Sequence, residues 1–303
     1  MSRAGTLTVV RLGLYLGVSG YLALTVWRTR AVVFDDLREI GWFPVLVAVG
    51  FALAGVVPAM LGWRVLLSSL GTHLEPHVAA RVYFVAGLGK YLPGALWPAA
   101  VQADLARSLG KPPWRFAGAF LASVAVSVVA GAVIGLPILP WLTGAGPAWQ
   151  VGGIAAAVAA AALSPRLLRL MFAAAGWAVA RLPLRSRPSM VLPDQGAVVR
   201  SLALTAVGWV VAAGHVLVLA VPLGVGADGA ALLLAGYCLA TVGGILTVVM
   251  PAGLGTREAL LVLTVGVVLS GSAILTVVAL SRFVVTVADL LAAAAASAYA
   301  GYR

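Results

Sequence analysis

An all-α polytopic membrane protein, with about six full spans and two re-entrant helical hairpins arranged as inverted repeats, is the architecture this sequence predicts. Three observations lead there. Of 303 residues, 62% are hydrophobic and only 10% charged, where soluble domains carry about a quarter charged residues. The mean hydropathy is +1.08. Apolar runs of about 20 residues, the length that crosses a bilayer, recur along the chain between short polar breaks. An ordinary soluble enzyme is excluded, and the membrane segments consume nearly the whole length. The 303 residues read as a single membrane domain.

Apolar runs lie at 7–27, 41–67, 116–142, 147–163, 198–223, 230–250, 257–270 and 273–300. The first resembles a signal peptide, but it is long and lacks a small-residue cleavage motif, so it reads as the first membrane helix. Residues 73–109 are too charged and too rich in Gly and Pro for a plain span, and they break between Gly87 and Gly94. Two half-length helices meeting at a Pro-Gly break suit a re-entrant hairpin, because non-helical backbone at membrane depth must be buried in protein or line a wet cavity. The run 230–250, the break Pro251-Ala252-Gly253-Leu254-Gly255 and a short helix at 257–270 repeat the arrangement. That last helix, about 14 residues, rises only about 21 Å.

With two hairpins, the order span, span, hairpin, span fills 7–142 as a first half. The same order fills 143–303 as a second half, starting from the opposite face, with a basic interfacial linker at 164–197. Such inverted halves, each with a Gly/Pro-interrupted segment, point to a site at the bilayer midplane. Eight plain spans with kinks is the alternative. Residues 166–182 carry Arg166, Arg169 and Arg181 and read as an amphipathic surface helix.

Twenty Lys and Arg against nine Asp and Glu give a formal charge of +11. In a membrane protein this reflects the bias of basic residues toward cytoplasmic loops rather than nucleic-acid binding. Arg107, Lys111 and Arg115, and then Arg166, Arg169, Arg181, Arg185, Arg187 and Arg200, mark two cytoplasmic loops. The link 143–147 has no charge and 224–229 only Asp228, so both suit the outer face. Both termini are then cytoplasmic, in a multi-pass protein of the cytoplasmic membrane.

Charged residues at membrane depth are costly and mark sites. They are Lys90, Asp104, Arg257, Glu258, Arg282 and Asp289. Lys90 precedes Pro93-Gly94, so it is expected to face a helix N-terminus. Arg257 follows Gly253 and Gly255 at another helix start, where the dipole already favours anions, and an arginine there is unfavourable without one. A bound phosphate satisfies the site better than Glu258, since adjacent residues do not face each other on a helix. Neutralisation by Glu258 or Asp289 is the bland alternative. Arg282 and Asp289 share a face of the last helix about 10.5 Å apart, leaving Arg282 to pair with Glu258 and Asp289 with Arg257, or one of them to meet substrate. Asp104 and Arg107 read as a local surface pair.

Other motifs carry less. His73 and His77 flank Glu75 with Pro76 between them, which disfavours a shared helix, and no metal or other cofactor is expected. His215 reads as a satisfied core histidine. Gly89-Lys90 is no P-loop, since Phe84 stands where its first Gly belongs and Tyr91 where its Ser/Thr belongs. Gly13/Gly17 and Gly131/Gly135 are close-packing signals. Nine Trp fit an interfacial belt. Cys238, the single cysteine, allows no internal disulfide and reads as packing.

Lys90-Tyr91-Leu92-Pro93-Gly94 with Trp97, and Gly253, Gly255, Arg257 and Glu258 together with the stretch from Ser281 to Leu290, resemble the flippase-like membrane domain family named after lysylphosphatidylglycerol synthase. The resemblance covers nearly the whole chain. Ala252 departs from the glycine that opens the family's second motif, and Gln102, Asp104 and Arg107 replace an arginine that the family often has soon after the tryptophan. The resemblance implies a lipid-translocating domain whose relatives are tied to aminoacylated phospholipids, hopanoids and glycosylated polyprenyl lipids. The soluble aminoacyl-transferring domain that makes some relatives synthases is not among these residues, so lysyl transfer is not expected of them. The substrate-binding set this implies, with the residues read above, is Lys90, Tyr91, Pro93, Gly94, Trp97, Gly253, Gly255, Arg257 and Glu258, supported by Arg282 and Asp289.

The expected function is therefore non-enzymatic movement of an anionic phospholipid or polyprenyl lipid between leaflets, with no nucleic-acid partner. The alternatives are an accessory subunit docking on a cell-envelope biosynthesis enzyme through the basic loops, or an intramembrane lipid-modifying enzyme, for which only His73, Glu75 and His77 are at hand.

Overall fold

The computed structural model describes residues 38, 40–92, 97–144, 193–247, 253 and 255–301. Every regular element among them is helical. The elements are α1 (Trp42–Ser69), α2 (Pro76–Gly87) closed by a 3-10 turn (Leu88–Tyr91), α3 (Trp97–Ser108), α4 (Pro113–Gly135), which runs through a 3-10 turn into α5 (Leu139–Thr143), then α6 (Gln195–Ala220), α7 (Ala227–Leu246), α8 (Thr256–Val265) and α9 (Ser272–Gly301).

Five of these stretches are long and apolar enough to cross a membrane: Trp42–Ser69, Pro113–Thr143, Gln195–Leu223, Ala227–Leu246 and Ser272–Tyr299. They coincide with the apolar runs at 41–67, 116–142, 198–223, 230–250 and 273–300, so apolar length alone located them. The protein is an all-α protein with the build of a multi-pass membrane protein. The expected spans at 7–27 and 147–163, the surface helix at 166–182, and Pro93, Gly94, Pro251 and Ala252 lie outside the described residues.

Two stretches of the chain are made of short helices. α2 and α3 have 12 residues each, a rise of about 18 Å against a hydrocarbon core of about 30 Å. α8 has 10 residues, fewer than the 14 expected, because the chain leaves the helix at Gly266 and turns at Gly271, whose φ of 63° suits glycine. α7, in contrast, has 20 residues, enough to cross.

Close approach through small residues sets the packing. α1 and α6 form the most extensive pair. A Cβ on Gly55 would sit 2.6 Å from the Ala212 Cβ, and one on Gly208 2.7 Å from the Gly55 carbonyl oxygen. α4 then packs on α6 and α7, while α9 packs on α1 and α2. The core falls into three clusters. One joins Trp63, Leu66, Val82 and Phe116, another Trp209, Val216, Tyr237 and Leu261, and a third Ala48, Ala52, Leu219 and Val284 along the α1–α6–α9 contact. Cys238 is buried in the second, as a packing residue. Trp42 and Trp141 are exposed at helix ends as an interfacial belt requires, whereas Trp63 and Trp209 are core residues and depart from it.

The Gly131/Gly135 spacing does bring helices together. A Cβ on Gly135 would lie 2.6 Å from the Leu239 backbone nitrogen, and one on Gly131 2.6 Å from a Val242 methyl carbon. Gly135→Val is expected to destabilise the protein by about 2 kcal/mol through overpacking. Gly50→Ala, where an added Cβ meets nothing within 4 Å, should be neutral or slightly stabilising. Thermal melts in detergent check both, and an unchanged melt for Gly135→Val would refute the close contact between α4 and α7.

Candidate functional site

The first short-helix pair places Lys90 and Tyr91. α2 tightens into the 3-10 turn, and Gly89 lies so close to the start of α3 that a Cβ there would be 2.9 Å from the Pro98 nitrogen. The helix start that Lys90 is expected to face, at Pro93-Gly94, lies outside the described residues. The Lys90 ammonium is 2.6 Å from Asp289 Oδ2 on α9. The Tyr91 hydroxyl donates to that same oxygen at 2.5 Å, with Thr286 Oγ1, one turn earlier on α9, 3.5 Å away. A carboxylate oxygen has room for two such donors, and both bonds here involve a charged group, the stronger class.

The second break places Glu258 and Arg257. Gly253 and Gly255 adopt φ of 67° and 82°, the left-handed region that favours glycine. Gly253 is doubly constrained, since a Cβ would lie 2.5 Å from the Gly244 Cα on α7. Glu258 folds back over the first turn of α8 and accepts from the Gly255 N–H with Oε2 at 2.7 Å, a capping arrangement that satisfies an orphan donor. Its other oxygen, Oε1, takes Arg282 Nη1 at 3.1 Å. The Arg282–Glu258 partnership read from the sequence is therefore realised, and the Asp289–Arg257 partnership is not. Asp289 is engaged by Lys90 and Tyr91 instead.

These contacts form one chain. Arg282 and Asp289, both on α9, receive Glu258 from one tip and Lys90 from the other. The Tyr91 ring lies within reach of both cations, 5.5 Å from Lys90 Nζ and 5.9 Å from Arg282 Cζ. Lys90, Asp289, Glu258 and Arg282 thus neutralise one another in pairs.

Arg257 stands apart. It is only 7% exposed, and its Nε and Nη2 are buried without a hydrogen-bond partner among the described residues. Its guanidinium carbon lies 5.4 Å from the centroid of the buried Tyr237 ring. Two buried donors of a charged group left without partners are expensive, and an aromatic ring under the guanidinium compensates only in part. The adjacent helix start adds further positive potential. The position sets two unpartnered donors of a planar fork beside a helix start that the Glu258 carboxylate caps.

Behind Tyr237 lies His215, paired with a serine that the sequence reading did not assign to the site. The His215 ring meets Tyr237 edge-on at 4.8 Å, its Nε2 is 2.8 Å from Ser281 Oγ, and its Nδ1 hydrogen-bonds the Ala212 carbonyl oxygen. With Nδ1–H donating, Nε2 accepts from the serine, so His215 is the satisfied core histidine expected. Tyr237 and Ser281 were missed because an aromatic in an apolar run and a serine beside an arginine carry no spacing signal.

The remaining candidates are peripheral. Asp104 and Arg107 pair locally at 3.2 Å in an exposed position, as read. His73 lies in the loop before α2 and His77 inside it, so the two do not share a helix; His77 instead meets Glu75 at 3.3 Å. Trp97 opens α3 beside Gly89. Compared with known proteins, the chain matches no protein-family model and no curated protein.

Proposed function

We propose that this protein is a lipid translocase of the cytoplasmic membrane, moving an anionic phospholipid or polyprenyl lipid between leaflets. The observation that carries the reading is Arg257, a buried guanidinium with two unpartnered nitrogens at the start of α8. On this reading a phosphate accepts from the two unpartnered donors of its fork, while the acyl or prenyl chains remain in lipid. The Lys90–Asp289–Tyr91 and Arg282–Glu258 contacts hold the two tips beside it, with Trp97 at the start of α3 next to Gly89. The resemblance of Lys90–Trp97 and Gly253–Glu258 to the lysylphosphatidylglycerol synthase membrane domain supports the same substrate class.

The reading includes two re-entrant hairpins, α2–α3 and α7–α8, in halves of inverted topology with both termini cytoplasmic. The reciprocal packing supports it: if α1, α2, α3 and α4 correspond to α6, α7, α8 and α9, then α4 on α6 and α7 mirrors α9 on α1 and α2. The lengths of α2, α3 and α8 also suit half-membrane elements, whereas the 20 residues of α7 are a crossing's length, so the second hairpin rests on α8 and the glycine break before it. Transport on this reading is equilibrative or ion-coupled, with no chemical step.

The test is leaflet exchange of fluorescent anionic and neutral phospholipids in proteoliposomes, against protein-free vesicles. Protein-dependent exchange that favours anionic lipid and is lost in Arg257→Ala is the expected result. No protein-dependent exchange of phospholipids or of a polyprenyl phosphate would refute the reading.

A further inference from the structure

A second basic constellation, which the transport reading does not use, lies at the other end of the α1–α6 pair. A cavity of about 420 Å³ opens between the last turns of α1, the loop that follows it and the first turns of α6. Arg64, Val65, Ser68, His73, Asp194 and Arg200 line it.

Both guanidinium groups are held but not neutralised. Arg64 donates through Nε to the Leu74 carbonyl oxygen at 2.8 Å, and Arg200 through Nε to the Gly196 carbonyl oxygen at 3.2 Å. Each bond fixes the plane of its fork and leaves the terminal nitrogens for another acceptor. Among the described residues neither arginine is ion-paired. Asp194 is occupied otherwise, accepting from the Ala197 N–H at 3.2 Å to cap α6. The capping carboxylate already serves the helix start, so the attraction for an anion comes from the two arginines and His73.

The location selects the kind of anion. The cavity sits where the apolar length of α1 ends, the depth at which head groups lie. Leaving it along α6, Val199, Val207 and Val210 are exposed to 45%, 54% and 45%, within about 80° of one another around the helix. That is an apolar track leading from Arg200 into the hydrocarbon region. A soluble anion has no use for it, whereas a lipid has a charged end for the cavity and a chain for the track.

We propose that this cavity holds the phosphate of an anionic phospholipid at the membrane interface, Arg64 and Arg200 binding its oxygens and an acyl chain lying on the Val199–Val207–Val210 face. It is a resident-lipid site, separate from the position at Arg257. To keep the two apart, the test is made on the full chain carrying Arg257→Met. Native mass spectrometry from neutral detergent compares retention of phosphatidylglycerol and phosphatidylcholine by this protein and by its Arg64→Ala/Arg200→Ala and Arg64→Lys/Arg200→Lys derivatives, with millimolar inorganic phosphate as competitor.

The expected result is preferential retention of phosphatidylglycerol, at least tenfold weaker in the double-alanine protein and largely kept in the double-lysine one. Should the double-alanine protein melt early, the comparison is read from Arg200→Ala alone, whose side chain is exposed. Equal retention with and without the arginines, or equal retention of the two lipids, overturns the proposal. Displacement of the lipid by inorganic phosphate overturns the lipid assignment in favour of a free-phosphate site.

Discussion

Arg257→Met abolishes leaflet exchange, to the level of protein-free vesicles, while the purified protein melts at or above the wild-type temperature. The two halves of this expectation come from one observation. In the protein as described, Nε and Nη2 of Arg257 are buried and unpartnered, and each such donor costs about 1–3 kcal/mol. Methionine keeps an unbranched apolar stem and removes that cost; it also removes the contact with Tyr237, worth about 0.5–2 kcal/mol. The balance leaves stability level or improved. Binding goes the other way, since two charge-assisted bonds to a phosphate contribute about 1.5–3 kcal/mol each, so their loss lowers occupancy more than a hundredfold. A residue that only packs would lose stability on truncation and leave exchange intact. Full exchange by a well-folded Arg257→Met protein would remove Arg257 from the transport path, and a large drop in melting temperature would show that the guanidinium is structural.

The second large effect belongs to Asp289. Its side chain is 13% exposed and one of its oxygens serves both Lys90 and Tyr91. Removing one partner of a buried pair costs about 3–5 kcal/mol, because the other charge is stranded. Lys90 is 41% exposed and regains water, so Asp289→Ala is expected to cost about 2 kcal/mol. Asp289→Asn keeps an acceptor for Tyr91 but discards the charge, and should recover part of the loss. Tyr91→Phe should cost about 1 kcal/mol alone and less in the Asp289→Ala background, a coupling that a double-mutant cycle on thermal or denaturant melts would detect. Additive effects of Tyr91→Phe and Asp289→Ala would mean that the hydroxyl and the carboxylate act independently.

Much of this was legible before any coordinates. Five apolar runs became helices because a bilayer-length run of Leu, Val and Ala leaves the backbone no partner but itself. The Arg282–Glu258 pair was legible because both residues fall at membrane depth, where each needs an opposite charge, and few are available. The same scarcity argument assigned Asp289 to Arg257, and there it failed. Lys90 lies 199 positions from Asp289 (289 minus 90), and nothing in a single sequence reports which of two cations a distant carboxylate meets. The choice was made by the 3-10 turn that ends α2, which swings Lys90 and Tyr91 together onto α9. Arg64 and Arg200 were illegible for a different reason. Arg200 counted only as one more loop charge and Arg64 was not singled out, since a cavity exists only once α1 and α6 are side by side. The roles of Tyr237 and Ser281 depend in the same way on which helix faces inward.

α9 carries the partners of both tips on a stretch without proline, Arg282 and Asp289 being seven residues apart. Two full turns of helix therefore act as a ruler. The separation of the tips is set by the pitch of the helix, while Val284 and Ala288 between them anchor this stretch in the core and Thr286 meets the Tyr91 hydroxyl. Only Phe283 in this stretch is exposed and free to vary, whereas a single inserted residue would turn Asp289 about 100° away from Lys90. The quantity that selection has to preserve here is a length.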